Sequence, residues 1–421
     1  MEAESTNQSD GVLVFDEVIS RAGTGALGLD WRRFGMAPDV TPLWLADMAF
    51  RTPLPIRQAL EERIEHGIIG YSVPTEDYYD SLGGWFERRH GWVVDPRGAV
   101  QTRGVVHALH LALESLTSPG AGVIIQPPVY QPFFEAVQLT GRRLLACPLL
   151  EADGAWEIDF DQFEAAARRA EAFILCSPHN PIGRVWRRDE LERLAEICLR
   201  HGVMIISDEI HMDFVYPGAA HTVTASLAPE VADITLTCTA PSKTFNLAGL
   251  QLANIFAANS TWRQRLIKQY ALQGLSQHPA LSLVACQAAY SGANDAWVDQ
   301  LVAYLDGNLN LISQMVSNQM PGVSLVRHGG TYFAWLDFRQ LLANKTGQTT
   351  LEAQPRPDGP VPAWRTKLDQ QVLGEAKLWL SDGASYGAEG AGFKRLNAAA
   401  PRPVIADAMR RLAAAVQAKS A

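Results

Sequence analysis

The sequence predicts an α/β protein: a large, doubly wound, mostly parallel-sheet domain with a smaller α+β domain after it. Three observations lead there. At 421 residues the chain exceeds the usual size of one compact core, so two domains are expected. From about Val100 to Ala258, short apolar runs alternate with helices of 3.6-residue period, as in a parallel sheet covered on both faces. Polar or glycine-bearing turns follow several of those runs, at the strand ends where open α/β sheets bind ligands.

Taken in order, Met1 to Asp10 is polar and without period, and residues 1–12 are expected to form a disordered tail. Residues 13–55 read as an N-terminal arm that joins part of the small domain. Within it, Trp44 and Met48 fit core packing as well as they fit the wall of a site. Pro55 to Glu65 reads as a helix: proline suits a first turn, Ile56, Leu60 and Ile64 share a face, and Gly67 can end it. Gly70-Tyr71-Ser72 is a turn, and Tyr78 to Arg89 a second helix.

The large domain is placed at residues 56–300. Val100 to Arg103 is a strand, and Gly104 opens a helix with Val105, Leu109, Ala112 and Leu116 on one face. A strand, a glycine and a helix start leave the N–H groups of Gly104, Val105 and Val106 free where a phosphate can sit. Gly122 to Phe133 is a strand and turn carrying Tyr130. The apolar strand Ala172–Cys176 runs into the Asn180-Pro-Ile-Gly183 turn, whose Pro and Gly fix the loop. Helix Asp189–His201 feeds strand Val203–Ile206, with Asp208 and His211 just beyond. Ile234 to Cys238 is the strand before Ser242, Lys243 and Thr244.

Gln264 to about Gln319 is mostly helical, with the domain crossover near residue 300. In the small domain, 301–421, Val323–Val326 and Thr331–Asp337 read as strands and Pro403–Ala418 as a closing helix. Leu342 to Ala363 is polar and rich in Pro, Gln and Thr, and reads as an inserted mobile loop.

The net charge of −9, with no block of Lys/Arg, argues against nucleic acid as a partner. Five cysteines stand singly, with no Cys/His cluster, so neither a disulfide framework nor a metal site is expected. No apolar run reaches membrane-spanning length and no charged-then-apolar leader opens the chain, so the expected compartment is the cytoplasm.

The candidate chemistry centres on Lys243. A lysine just past a strand is ordinarily a solvated loop residue; here Ser177-Pro-His-Asn-Pro-Ile-Gly183 and Ser207-Asp-Glu-Ile-His211 stand upstream at other strand ends. An amine that forms a Schiff base needs a partly desolvated pocket and a counter-charge, and these segments can supply both. Asp208 lies 28 residues after Asn180 and 35 before Lys243. With Pro42-Leu-Trp-Leu-Ala-Asp-Met48, Trp85-Phe-Glu-Arg-Arg-His-Gly-Trp92, Gly330-Thr-Tyr-Phe-Ala-Trp-Leu-Asp337 and Gly392-Phe-Lys-Arg-Leu-Asn397, this ordered set resembles the fold-type-I pyridoxal-phosphate (PLP) enzymes. Within them it is most similar to the MalY/PatB class of cystathionine β-lyases and related C–S lyases.

That resemblance implies roles. Lys243 is the PLP lysine and Asp208 the partner of the ring nitrogen. Asn180 and His211 face the phenolic oxygen, and Tyr130 stacks on the ring. Gly104, Val105, Val106 and Ser242 cup the phosphate, joined by Tyr71 reaching across a homodimer interface. Arg395 grips the substrate α-carboxylate, and Asp47 lies along the substrate entrance.

Departures from the family pattern are visible too. Ala49 stands where relatives carry a second acid, and Gly28-Leu29-Asp30 where they carry Lys-aromatic-Asp. Ala240 and Gln251 replace a serine and an arginine that hold the phosphate in aminotransferase relatives. The implied reaction is β-elimination on a cysteine S-conjugate, with a specialised S-alkylcysteine as open a substrate as cystathionine. An aminotransferase, a decarboxylating PLP enzyme and a PLP-binding regulator remain the alternatives.

Overall fold

The computed structural model describes residues 15–152, 154–326, 329–346, 368, 369 and 373–420. Its centre is a seven-stranded sheet in the spatial order Ala99–Thr102, Ala253–Ala257, Thr235–Thr239, Met204–Asp208, Ala172–Cys176, Gly122–Ile125, Arg143–Ala146. The run from Thr235–Thr239 to Arg143–Ala146 is parallel, while Ala253–Ala257 is antiparallel to both its neighbours. The interior strands have no exposed face, which is why they read as unbroken apolar runs.

Strand residues divide by parity between two covering layers. Ile174, Ile206 and Leu236 pack on one side with Leu109 and Ala112 of helix Val105–Leu116, Val137 of helix Pro132–Leu139, and Leu266 of helix Ser260–Leu272. Phe173, Leu175 and Ile205 pack on the other with Phe163 of helix Phe160–Ala167 and Leu191, Leu194 and Cys198 of helix Arg188–His201. Each fully buried Leu, Ile or Phe contributes roughly 1.5–3 kcal/mol, so neither layer is dispensable.

The second domain is a four-stranded antiparallel sheet, Ser324–Leu325, Phe333–Asp337, Phe393–Asn397, Ser381–Asp382. Helices Asp295–Gln319 and Arg402–Ser420 lie in its core through Leu305, Leu309, Ile312, Met409 and Leu412. Thr41–Pro42 pairs in parallel with Leu378–Trp379, so the N-terminal arm is stitched to this domain.

The position near 300 where the crossover is expected lies within the continuous 25-residue helix Asp295–Gln319. Lys243 lies in a one-turn helix, Pro241–Thr244. Two expectations meet a different structure. In helix Leu54–Glu65, Ile56 is fully buried but Ile64 is 56% exposed, so the shared face is not buried along its length. Leu342 to Thr346, expected in the inserted loop, belong to helix Arg339–Thr346, while 347–363 lie outside the described residues, as does the 1–12 tail.

Candidate active site

The carboxyl ends of the parallel strands converge. Thr102 leads to Gly104, Ile125 to Tyr130, Cys176 to Asn180, and Thr239 to Lys243, while Asp208 is itself a strand end. Gly104, Val105, Val106, Tyr130, Asn180, Asp208, His211, Ser242 and Lys243 all line one cavity at this edge. Nine residues singled out by sequence therefore meet, as the switch from parallel to antiparallel neighbours leads one to expect. Arg395 stands behind Asn180. Asp47 and Tyr71 are not on the cavity wall of this chain: Asp47 is bonded to Arg21 (2.9 Å), and Tyr71 is 93% exposed.

Burial sets the charges. Desolvation pulls Lys243 down to about 8, helped by Arg395 and opposed by Asp47 and Asp208. Desolvation likewise pushes Asp208 up to about 7, against the Ile210 N–H it accepts at 3.2 Å and the charge of Lys243. His211, buried beside Lys243 and Arg395, is held well below the usual histidine range and is neutral. Burial raises the Tyr130 phenol to about 12, so it stays protonated.

Arg395 is 4% exposed and spreads its fork over two acceptors, Asn180 Oδ1 and the Trp44 carbonyl, both at 2.9 Å. Its guanidinium lies 4.0 Å from the Phe333 ring centroid and 5.2 Å from that of Tyr386, which fixes its plane. Nε is buried and without a hydrogen-bond partner.

Sequence reasoning missed the clamp on residues 43–50. This stretch has almost no regular structure, yet its carbonyls are paired one after another. Trp44 O accepts from Arg395 and Ser381, and Ala46 O accepts from Lys243 Nζ (2.5 Å) and Tyr332 (3.1 Å). Asn397 donates to Leu45 O (2.7 Å) and Asp47 O (2.6 Å), and Asn246 donates to Met48 O and Phe50 O (3.0 Å each). Asn246 reaches them from a left-handed backbone, φ 58°, a conformation asparagine tolerates. Ala49 packs against the core instead of facing the cavity, so the missing acid does not open the site directly.

Two buried histidine–carboxylate pairs also escaped the sequence reading. His90 Nε2 meets Asp213 at 2.8 Å, and Asp213 accepts the hydroxyl of Thr244, the neighbour of Lys243, at 2.5 Å. His221 meets Glu209 at 2.8 Å, and Glu209 also accepts from Ser207 Oγ and Thr224 N–H.

These residues fit PLP. Asp208 is 5% exposed and has no ion-pair partner among the described residues, so a protonated ring nitrogen would answer its charge. His211 Nδ1 is a buried polar atom without a hydrogen-bond partner. Gly104, at φ 94°, has nothing within 4 Å of where a Cβ would stand, leaving a bare helix start for a phosphate. Among the described residues no cluster of metal-ligating side chains occurs, and no helix is long and apolar enough to cross a membrane.

Comparison with known proteins agrees with this geometry. The chain is 40% identical over 406 residues to cystathionine beta-lyase PatB of Bacillus subtilis, covering 96% of this chain and 99% of the relative. It is 33% identical to protein MalY of Escherichia coli, over 92% and 95% of the two chains. The structure is similar to cystalysin from Treponema denticola, which contains a pyridoxal 5'-phosphate cofactor. That match has a TM-score of 0.88 and 34% identity, and covers 97% of this chain and 99% of that one. Residues 49–412 match the family described as aminotransferase class I and II. On sequence, fold and the residues gathered at its sheet edge, the chain belongs to the class I and II aminotransferase family.

Proposed function

We propose that the protein is a PLP-dependent C–S lyase that carries out β-elimination on a cysteine S-conjugate, releasing a thiol, pyruvate and ammonia. The carrying observation is the half-buried Lys243 amine sharing one cavity with Asp208, in a chain alike over nearly its whole length to a cystathionine beta-lyase. When bound, PLP supplies an electrophilic carbon for amines and a conjugated ring that accepts an electron pair.

The chain's residues do the rest. Lys243 would hold the cofactor, and Asp208 would answer a protonated ring nitrogen. Asn180 and His211 would lie by the phenolic oxygen and Tyr130 against the ring, while Gly104, Val105, Val106 and Ser242 would hold the phosphate. Arg395 takes the substrate α-carboxylate with a fork whose plane is already set, which orients Cα–H toward Lys243. Lys243 Nζ then removes that proton, and its pKa near 8 suits a base at neutral pH. With sulfur on Cβ, the electron pair left at Cα expels the thiolate, which Lys243 can reprotonate. Hydrolysis of the remaining three-carbon enamine gives pyruvate and ammonia. Asp47, paired with Arg21 off the cavity wall, is near enough to act electrostatically on Lys243.

The reading includes a homodimer in which Tyr71 of a second copy completes the phosphate site. Ile64, Ile68, Ile69, Tyr71 and Val73 form an exposed apolar stretch of the kind that a partner covers. It also includes a cytoplasmic location, which suits five buried cysteines that are all free thiols.

The test is a product assay on a panel of S-substituted cysteines with no oxo acid added. Thiol and pyruvate should appear in equal amounts over many turnovers. A single turnover leaving pyridoxamine phosphate would identify a transaminase. Carbon dioxide with the C–S bond whole would identify a decarboxylase, and no turnover a regulator.

A further inference from the structure

The charges on the cavity wall do not balance for a phosphorylated cofactor unless one more residue is counted. Among the lining residues the cations are Lys243 and Arg103, and the anion is Asp208. On the functional reading above, Lys243 and Asp208 are committed to the reactive carbon and the ring nitrogen. What remains around the helix start at Gly104 is backbone N–H, the Ser242 hydroxyl and the Gln251 amide. Gln251 stands where aminotransferase relatives carry an arginine. A phosphate there would be a dianion met only by neutral donors.

Arg103 occupies the position between strand end Thr102 and Gly104, and it lines the same cavity from the exposed rim. An exposed arginine is ordinarily a solvated charge or half of a surface ion pair. Arg103 makes no ion pair among the described residues, whereas arginines such as Arg88, Arg89 and Arg97 do. Its neighbours are the rings of Tyr270 and His278, stacked 6.0 Å apart at 16°. Both sense its charge: it works against the burial that raises the Tyr270 phenol, and adds to the burial that lowers the His278 imidazole. Its backbone N–H, directed to His107 Nδ1 at 3.4 Å, fixes the root of the side chain at the helix start.

We propose that Arg103 is a direct ligand of the cofactor's phosphate, supplying from the helix side the guanidinium that Gln251 cannot. The inference rests on the PLP reading of the site and adds a residue to it. A guanidinium offers paired donors matched to phosphate oxygens, and a site at a helix N-terminus gains from the added fixed charge. The placement also explains how the chain retains a doubly charged cofactor with glutamine at 251.

Arg103→Gln and Arg103→Lys should be made in the full chain, and the cofactor-free proteins titrated with PLP and with pyridoxal, which lacks the phosphate. Binding is followed by absorbance and fluorescence. Arg103→Gln should weaken PLP about ten- to a hundredfold, as for loss of a charge-assisted contact. Pyridoxal should bind within about twofold of wild type, and Arg103→Lys should recover part of the PLP affinity. Inorganic phosphate should compete with PLP for wild type and lose most of that effect in Arg103→Gln. Equal weakening of PLP and pyridoxal, or no weakening of either, would overturn the assignment. If wild-type protein takes up no PLP at all, the functional reading falls first.

Discussion

Asp208, Glu209 and Asp213 lie within one short stretch of chain, and the side chains of all three are buried, but they are partnered very differently. Glu209 and Asp213 face away from the cavity and are answered by the chain itself, through His221, Ser207 and Thr224 in one case and His90 and Thr244 in the other. The two imidazoles sit edge to face, 5.9 Å apart, so the pairs form one polar island beneath the helix that carries Lys243. Asp208 faces the cavity and receives the Ile210 N–H. Burial pushes Asp213 up too, yet His90, Thr244 and Arg89 outweigh it and hold the carboxyl below its ordinary range. Asp208 has no comparable help and sits near 7. Burying a charge without a counter-charge is costly, so a fold that partners two acids and leaves the third is keeping that place for a cation from outside.

Substitutions can break this contrast. The largest stability effect should come from Asp213→Asn, because removing one member of a buried pair strands the other; about 2–5 kcal/mol should be lost in urea unfolding. Asp208→Asn should leave the cofactor-free protein at pH 8 at least as stable as wild type, since an uncompensated charge is gone. Its turnover should nonetheless fall about a hundredfold or more, as when a group that stabilises developing charge is removed. If Asp208→Asn destabilises the empty protein as much as Asp213→Asn does, the contrast is lost. The smallest effect belongs to Arg21→Ala. The Arg21–Asp47 pair is 28% and 27% exposed, and breaking it should change stability by no more than about 1 kcal/mol.

The convergence of site residues was legible because each follows its strand within a short motif. Strand ends can be read from local pattern, and the fold then brings those ends together. What was illegible joins residues far apart. His90 and Asp213 are 123 positions apart, Asn246 and Met48 198, and Asn397 and Asp47 350. No local period marks such partners; each is a lone polar residue until the packing is known. The crossover expected near residue 300 has no local mark at all. Trp297, Val298, Leu301 and Leu305 carry one buried face straight through it, so the helix gives no local sign of a boundary. Ile64 shows the limit of a periodic face, since the last turn of its helix emerges into an exposed apolar stretch.

The most direct test of the account is the pH dependence of unfolding free energy for cofactor-free wild type and Asp208→Asn. Asp208 has a folded pKa of about 7, against about 3.9 in an unfolded chain. Its contribution should be fully present below about pH 4 and lost as pH rises through 7, because the folded state alone still holds the proton in that window. Wild-type stability minus that of Asp208→Asn should therefore fall between pH 4.5 and 7, by at most about 1.4 kcal/mol per pH unit, and level off above. Bound PLP should abolish the slope. A difference that stays flat or rises with pH in the empty protein would show that Asp208 already has its partner, and would contradict the account.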